Sequence, residues 1–168
     1  MTDMSRRTAG FGVALFGLAA LSTRAAAAEG GPVRGPGVNV WRSGMGFGTT
    51  VERLQQDVKA KGIRLFDVID QAKLAADAGI VLRPSTLLVF GNPPLGIQFL
   101  TANPFAGLDW PVRLLVFEDE RQTVWIACTD FAWIARRHGV TDRDEAFAMA
   151  TKVVASIVAS VNASPDGH

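Results

Sequence analysis

Three stretches near the middle of the chain are apolar on both alternating faces, and they restrict the fold more than anything else in the sequence. The segment Thr86–Phe90 puts Leu87 and Val89 on one side and Leu88 and Phe90 on the other. Val112–Phe117 sets Leu114 and Val116 against Leu115 and Phe117, and Thr123–Thr129 sets Val124, Ile126 and Cys128 against Trp125 and Ala127. A strand with one wet face should alternate apolar and polar residues. These do not, so both faces of the sheet they build need cover. Short helices can cover one face. The other requires a long C-terminal helix, a second subunit or a ligand, because an uncovered apolar surface becomes an association site. The last two strands are joined by the charged run Glu118-Asp119-Glu120-Arg121, which reads as a solvated hairpin turn.

The remaining elements follow from capping signals and periodicity. Val38–Arg42 reads as a first strand, followed by a Gly-rich loop over Ser43–Gly48. Thr49 with Glu52 predicts a capping box opening a helix whose apolar line is Val51, Leu54 and Val58, closed by Gly62. Ile63–Ile69 is a second strand, and Asp70 caps a short alanine-rich helix ending at Gly79. Asn92 and Pro93 suit the cap and first position of a helix over Leu95–Leu100. Asp130 caps Phe131–His138, closed by Gly139. Asp142 with Glu145 predicts the start of a long amphipathic helix. Its stripe is Ala146, Phe147, Ala150, Val153, Val154, Ile157, Val158 and Val161.

The chain begins with the grammar of an export signal. Arg6 and Arg7 precede an uncharged, mostly apolar run from Ala9 to Ser22, and Ala26-Ala27-Ala28 offers small residues before Glu29. That run is shorter than the roughly 20 residues a membrane span needs. Ser5-Arg6-Arg7 resembles a twin-arginine signal, and Arg24 near the cleavage point suits that route; Ala9-Gly10 in place of a bulky apolar pair suits the general secretory route instead. The expected organisation is therefore a signal peptide over residues 1–28, a flexible Gly/Pro-rich lead-in over 29–37, one domain over 38–163 and a frayed tail over 164–168. The expected location is the periplasm, with no stable membrane span once the leader is removed. The formal charge is +1, and losing Arg6, Arg7, Arg24 and Asp3 leaves one more acid than base. Without a basic stripe, nucleic acid is not an expected partner. About 140 residues remain, enough for one domain with a real core.

From Thr50 to Val140 the chain resembles the bacterial and archaeal family known as domain of unknown function 302. The matching pieces are TVERLQQDVKAKGI, IDQAKLAADAG, the FGNP at Phe90–Pro93, LDWPVRLLVFED, and TVWIACTD with ARRHG. The resemblance implies an α+β fold: a single compact domain with a mainly antiparallel sheet and helices packed on it, grouped with TATA-binding-protein-like folds. It implies no settled activity. Where relatives carry histidine, lysine and threonine, this chain has Gln71, Pro94 and Ile97. A ring, a cation and a hydroxyl are thereby missing from the region most suggestive of a site.

Chemistry-bearing patterns are sparse. The histidines are His138, in the last turn of a helix beside Arg136 and Arg137, and the terminal His168; Cys128 is the single cysteine and sits in an apolar strand. They show no zinc, copper or haem spacing, so no metal or cofactor is expected. His138 reads as a residue favoured at the negative end of a helix dipole. No nucleophile-elbow sequence is present, and of Asp67 and Asp70 the second is needed as a cap. Gly44, Gly46 and Gly48 lack the lysine of a phosphate loop. No catalytic residue is assigned. The candidate ligand-binding residues are Asp70, Gly91, Asn92, Pro93, Phe99 and Trp110, centred on the strand-to-helix junction, where free amides at a helix start attract anions. The expected partners are a small or apolar ligand, or a second copy of the chain in a homodimer. The alternatives are an enzyme or cofactor carrier working at the Asn92-Pro93 junction, and a structural accessory subunit.

Overall fold

A computed structural model describes residues 31–162. The leader, the first part of the lead-in and the tail lie outside the described residues. The domain is α+β. Five strands, β1 (Val38–Arg42), β2 (Arg64–Asp70), β3 (Ser85–Gly91), β4 (Val112–Glu118) and β5 (Val124–Thr129), form one sheet in the order β1-β5-β4-β3-β2, every pair antiparallel. The helices are α1 (Phe47–Ala60), α2 (Gln71–Asp77), α3 (Pro93–Ala102), α4 (Phe131–Arg137) and α5 (Asp144–Asn162), with a 3₁₀ turn over Pro104–Leu108.

The helices that build the core share one face of the sheet. Leu88, Phe90, Leu114, Val116, Ile126 and Cys128 point into it and meet Leu54 and Val58 of α1 and Val154, Ile157, Val158 and Val161 of α5. The α5 stripe is buried as its spacing requires, apart from a half-buried Val153. Phe99 of α3 stacks on Phe147 of α5 at 4.2 Å between ring centres and lies 6.5 Å from Phe131 of α4. Three helices are thus joined by one aromatic cluster.

Two predicted caps are made: the Asp70 carboxylate accepts from the Lys73 amide and that of Asp130 from the Ala132 amide. The Thr49–Glu52 capping box is not. The α1 helix begins at Phe47 with Gly46 as its cap and no side-chain cap bond. The neighbouring Thr50 wins the position. Its fully buried hydroxyl pairs with Ser43 Oγ at 2.7 Å and donates to the Gly46 carbonyl at 2.9 Å, drawing the helix start back toward the sheet. That pair also orders the Gly-rich loop, whose Ser43 amide donates to the Val124 carbonyl and Gly44 amide to the Val161 carbonyl. Nor does Asp142 cap α5, which opens at Asp144; its carboxylate instead contacts Arg143. The lead-in is docked by its last residue, since the Asp130 amide donates to the Gly37 carbonyl at 2.8 Å. At the β4–β5 turn, Asp119 accepts from the Trp125 indole, the Thr123 amide and the Arg121 amide. These bonds, led by that of Trp125, hold its carboxyl below the ordinary carboxylate range.

The second face of the sheet is the main consequence of the topology. Strand register aligns Val40, Ala127, Leu115, Leu87 and Ile69 in one row across all five strands. Trp125 and Phe117 are paired beside that row, and Val89 lies on its other flank. None of these side chains belongs to the core cluster. Of the three covers the sequence allows for this face, α5 is not the one: it packs with α1, α3 and α4 on the opposite side. The segment before β3 borders the face instead. Val81–Ser85 and Leu115, Phe117 and Glu118 line an open groove of about 550 Å³, and Ile80, Val81 and Leu82 are exposed.

Candidate functional site

The junction from β3 into α3 gathers four of the six candidate residues. Gly91, Asn92, Phe99 and Trp110 line one apolar cavity of about 30 Å³, together with residues that include Phe90 and Leu95. That is room for about one water molecule. Pro93 is on the exposed side of the same turn. Asp70 is elsewhere: it pairs with Thr86 at one end of the β2–β3 ladder, whereas Gly91 pairs with Arg64 at the other. Nor does the helix start present free amides. Pro93 and Pro94 have none, and the amides of Leu95 and Gly96 both donate to the Asn92 carbonyl, at 3.0 and 2.9 Å. The anion-binding rationale for this junction therefore fails on donor count.

Trp110 is the residue that gives the junction its shape. A Cβ placed on Gly96 would fall 1.9 Å from its indole nitrogen, and one on Gly91 would fall 3.2 Å from the ring. At Gly96 the ring occupies the space of a side chain, whereas at Gly91 it leaves a tight fit. On its outer edge the indole meets Phe66 in a T-shaped contact at 6.0 Å. Phe66 is the extra residue of a bulge between Leu65 and Asp67, and the Arg64 guanidinium lies 5.3 Å from its ring centre.

Beside Trp110 is a polar cluster that the reading of the sequence missed. The Asp109 carboxylate is 5% exposed and accepts from Arg113 at 3.3 Å and from Arg137 at 3.0 and 3.1 Å, while His138 Nε2 lies 2.6 Å from its Oδ2. His138 was expected to answer to the α4 dipole. It is the residue that ends α4, and its ring turns to Asp109 instead. Asn103 donates to the His138 carbonyl and Arg113 to the Leu108 carbonyl. Both carboxylate oxygens are occupied, so Asp109 has little capacity left to act as a general base. The cluster works as a clamp: it ties the loop carrying Trp110 to the end of α4. Asp109 and His138 are 29 residues apart, a separation at which spacing carries no signal. The family resemblance alone touches both segments, through LDWP and ARRHG.

The family model described as domain of unknown function DUF302 matches residues 40–157. The chain belongs to this family. The crystal structure of an uncharacterized conserved DUF302 protein from Bacillus stearothermophilus superposes with a TM-score of 0.68, covering 76% of this chain and 99% of that one at 19% identity. At that identity the likeness concerns the fold. Proteins named fluoride-specific ion channel FluC 1 from Brucella suis and Brucella abortus are each 37% identical over 91 residues, 54% of this chain. The match takes in 36% and 34% of their lengths, so this chain spans about a third of the curated relatives it matches.

Among its described residues this DUF302 domain has no cluster of three His, Cys, Asp or Glu side chains able to hold a metal ion, and no helix long and apolar enough to cross a membrane. Cys128 is buried against the core, and burial, with a smaller contribution from the Asp130 charge, pushes its thiol up to about 12. Against an ordinary 9.0, its thiolate fraction at neutral pH falls roughly a thousandfold. A water-soluble disulfide reagent is therefore expected to label the native DUF302 domain slowly and the denatured chain at once; equal rates would contradict this placement. The raised value also has a sign. The unfolded thiol ionises first, so the stability this thiol contributes is intact below pH 9.0 and is lost as pH climbs toward 12.

Proposed function

We propose that this DUF302 domain is a non-catalytic binding module, exported to the periplasm, that self-associates through the second face of its sheet. The row Val40, Ala127, Leu115, Leu87 and Ile69, lying outside the core cluster, carries the reading. Strands buried on one face only have no reason to be apolar on the other unless something covers it. A second copy is the simplest cover, because one apolar patch meeting itself about a two-fold axis forms a closed dimer. The exposed Ile80, Val81 and Leu82 widen the patch beside Leu115 and Phe117. The paucity of free acid–base and nucleophilic groups near the Trp110 junction supports a binding rather than a catalytic role. Recovered from the periplasmic fraction, the chain is expected to begin at Glu29 and to scatter light as a dimer at tens of micromolar. A monomer at that concentration sinks the self-association, and a retained leader sinks the export.

A second reading draws on the Brucella relatives. Their name speaks of a fluoride channel, and this domain matches about a third of their length. That overlap supports a domain used as an accessory to a membrane protein. Co-purification of a membrane protein with the tagged chain would favour it; recovery of the chain alone would count against it.

A further inference from the structure

The stretch from Asn92 to Leu108 holds no charged residue, yet much of it is surface. It forms α3 and the 3₁₀ turn that follows. A surface helix ordinarily carries charged residues on its outer side, and α3 carries none. Its buried residues are Gly96 and Phe99. On the outside, Ile97 is 46% exposed, Phe105 69% and Leu108 63%. Phe105 and Leu108 are three residues apart on the 3₁₀ turn, so their side chains leave it on the same side, while Ala106 is buried. A Cβ on Gly107 would meet Leu100 at 3.8 Å, and Leu100 shares a helix face with Ile97, which links the apolar surface of the helix to that of the turn.

The polar side chains of this stretch are turned to its own backbone or to α4. Gln98 donates to the Pro94 carbonyl at 3.2 Å, Thr101 to the Gln98 carbonyl at 3.0 Å and Asn103 to the His138 carbonyl at 2.7 Å. Pro93, Pro94 and Pro104 have no amide to offer. Protein interfaces carry about one hydrogen bond per 100–200 Å², and this surface offers few groups to make them. Lipid instead requires that polar groups be satisfied internally, as these are. Cations stand at both ends. Arg64 pairs with Gly91 just before the stretch, and Arg113 donates to the Leu108 carbonyl, with Arg137 beside it on Asp109. The acid in that group, Asp109, is enclosed by its partners. A second copy meeting this patch about a two-fold axis would bring one positive rim against another. Anionic headgroups complement it.

We propose that the surface of α3 and the 3₁₀ turn docks the domain onto an anionic lipid bilayer. Ile97, Phe105 and Leu108 enter the headgroup layer, and Arg64, Arg113 and Arg137 meet the lipid phosphates. None of these residues belongs to the five-strand row, so the inference stands apart from self-association.

Vesicles are the probe. The chain purified from cells is sedimented with vesicles of phosphatidylglycerol and phosphatidylcholine in equal parts, and with vesicles of phosphatidylcholine alone. It should bind the mixed vesicles at least about tenfold more tightly. Phe105→Glu combined with Leu108→Glu should weaken that binding at least about tenfold and leave the circular dichroism spectrum unchanged, since both side chains are exposed. Parent and variant carry the same N-terminus, so a loss in the variant is a loss at this patch. Arg64→Gln, which leaves the Asp109 clamp intact, should weaken binding about fivefold. If the double variant fails to fold, Ile97→Glu takes its place with the same expected direction. Absent binding, or equal binding to the two kinds of vesicle, overturns the proposal, and so does undiminished binding by the glutamate variants. A double variant that scatters as a smaller species, while the parent ignores vesicles, would assign the patch to a protein contact and overturn it too.

Discussion

Phe99→Ala should cost about 3–5 kcal/mol of folding stability, the range for removing a large aromatic side chain from a core. The ring is 4% exposed, stacks on Phe147 at 4.2 Å and reaches toward Phe131. It also lines the cavity of about 30 Å³ behind Trp110, so deleting it merges a new void with an existing one. Voids that cannot collapse carry the higher penalties, and three helices fix the walls of this one. A domain of this size has about 5–15 kcal/mol to lose, so the variant should be marginal. Urea unfolding followed by circular dichroism measures it. A loss below about 1 kcal/mol would mean that the aromatic cluster does not join α3, α4 and α5 as described.

Leu115→Glu should have the opposite profile: little effect on the fold and a large effect on association. Leu115 is the middle residue of the five-strand row, on the face turned away from the core cluster. A carboxylate there stays solvated in the monomer. In a two-fold interface it would be buried, with its symmetry mate close by. The dimer should weaken by at least about 2 kcal/mol, or roughly thirtyfold. Light scattering over a dilution series reads the shift, and an unfolding midpoint extrapolated to low concentration checks that the monomer is intact. Unchanged association would move the interface elsewhere, and an unfolded variant would mean that this face is part of the core after all.

The features legible in the sequence were those set by local periodicity. The two-faced strands, the α5 stripe and the Asp70 and Asp130 caps each depend on residues a few positions apart, and they appear where expected. Helix starts were less legible, because several side chains compete for one turn. Thr49 and Glu52 satisfy the capping pattern, yet Thr50 pairs with Ser43 and the sequence holds no sign of which will prevail. The cover of the second face was out of reach for a related reason. The stripe on α5 shows that the helix buries a face, but not which side of the sheet it meets. At the candidate site, Gly91, Asn92, Phe99 and Trp110 converge because β3, α3 and the strand after it are close in space. The Asp109 clamp joins three segments across 28 and 29 residues and leaves no local mark. Asp70 does not join the junction, because antiparallel pairing of β2 and β3 puts the ends of these two strands at opposite ends of the ladder.

The proposal that a second copy covers the sheet is most directly tested by footprinting the face itself. Carbene labelling of the purified chain at tens of micromolar should leave Leu87 and Leu115 protected, dilution should restore labelling at both, and Leu115→Glu should restore it at Leu87. Labelling of those residues that is equally heavy at every concentration would contradict the account.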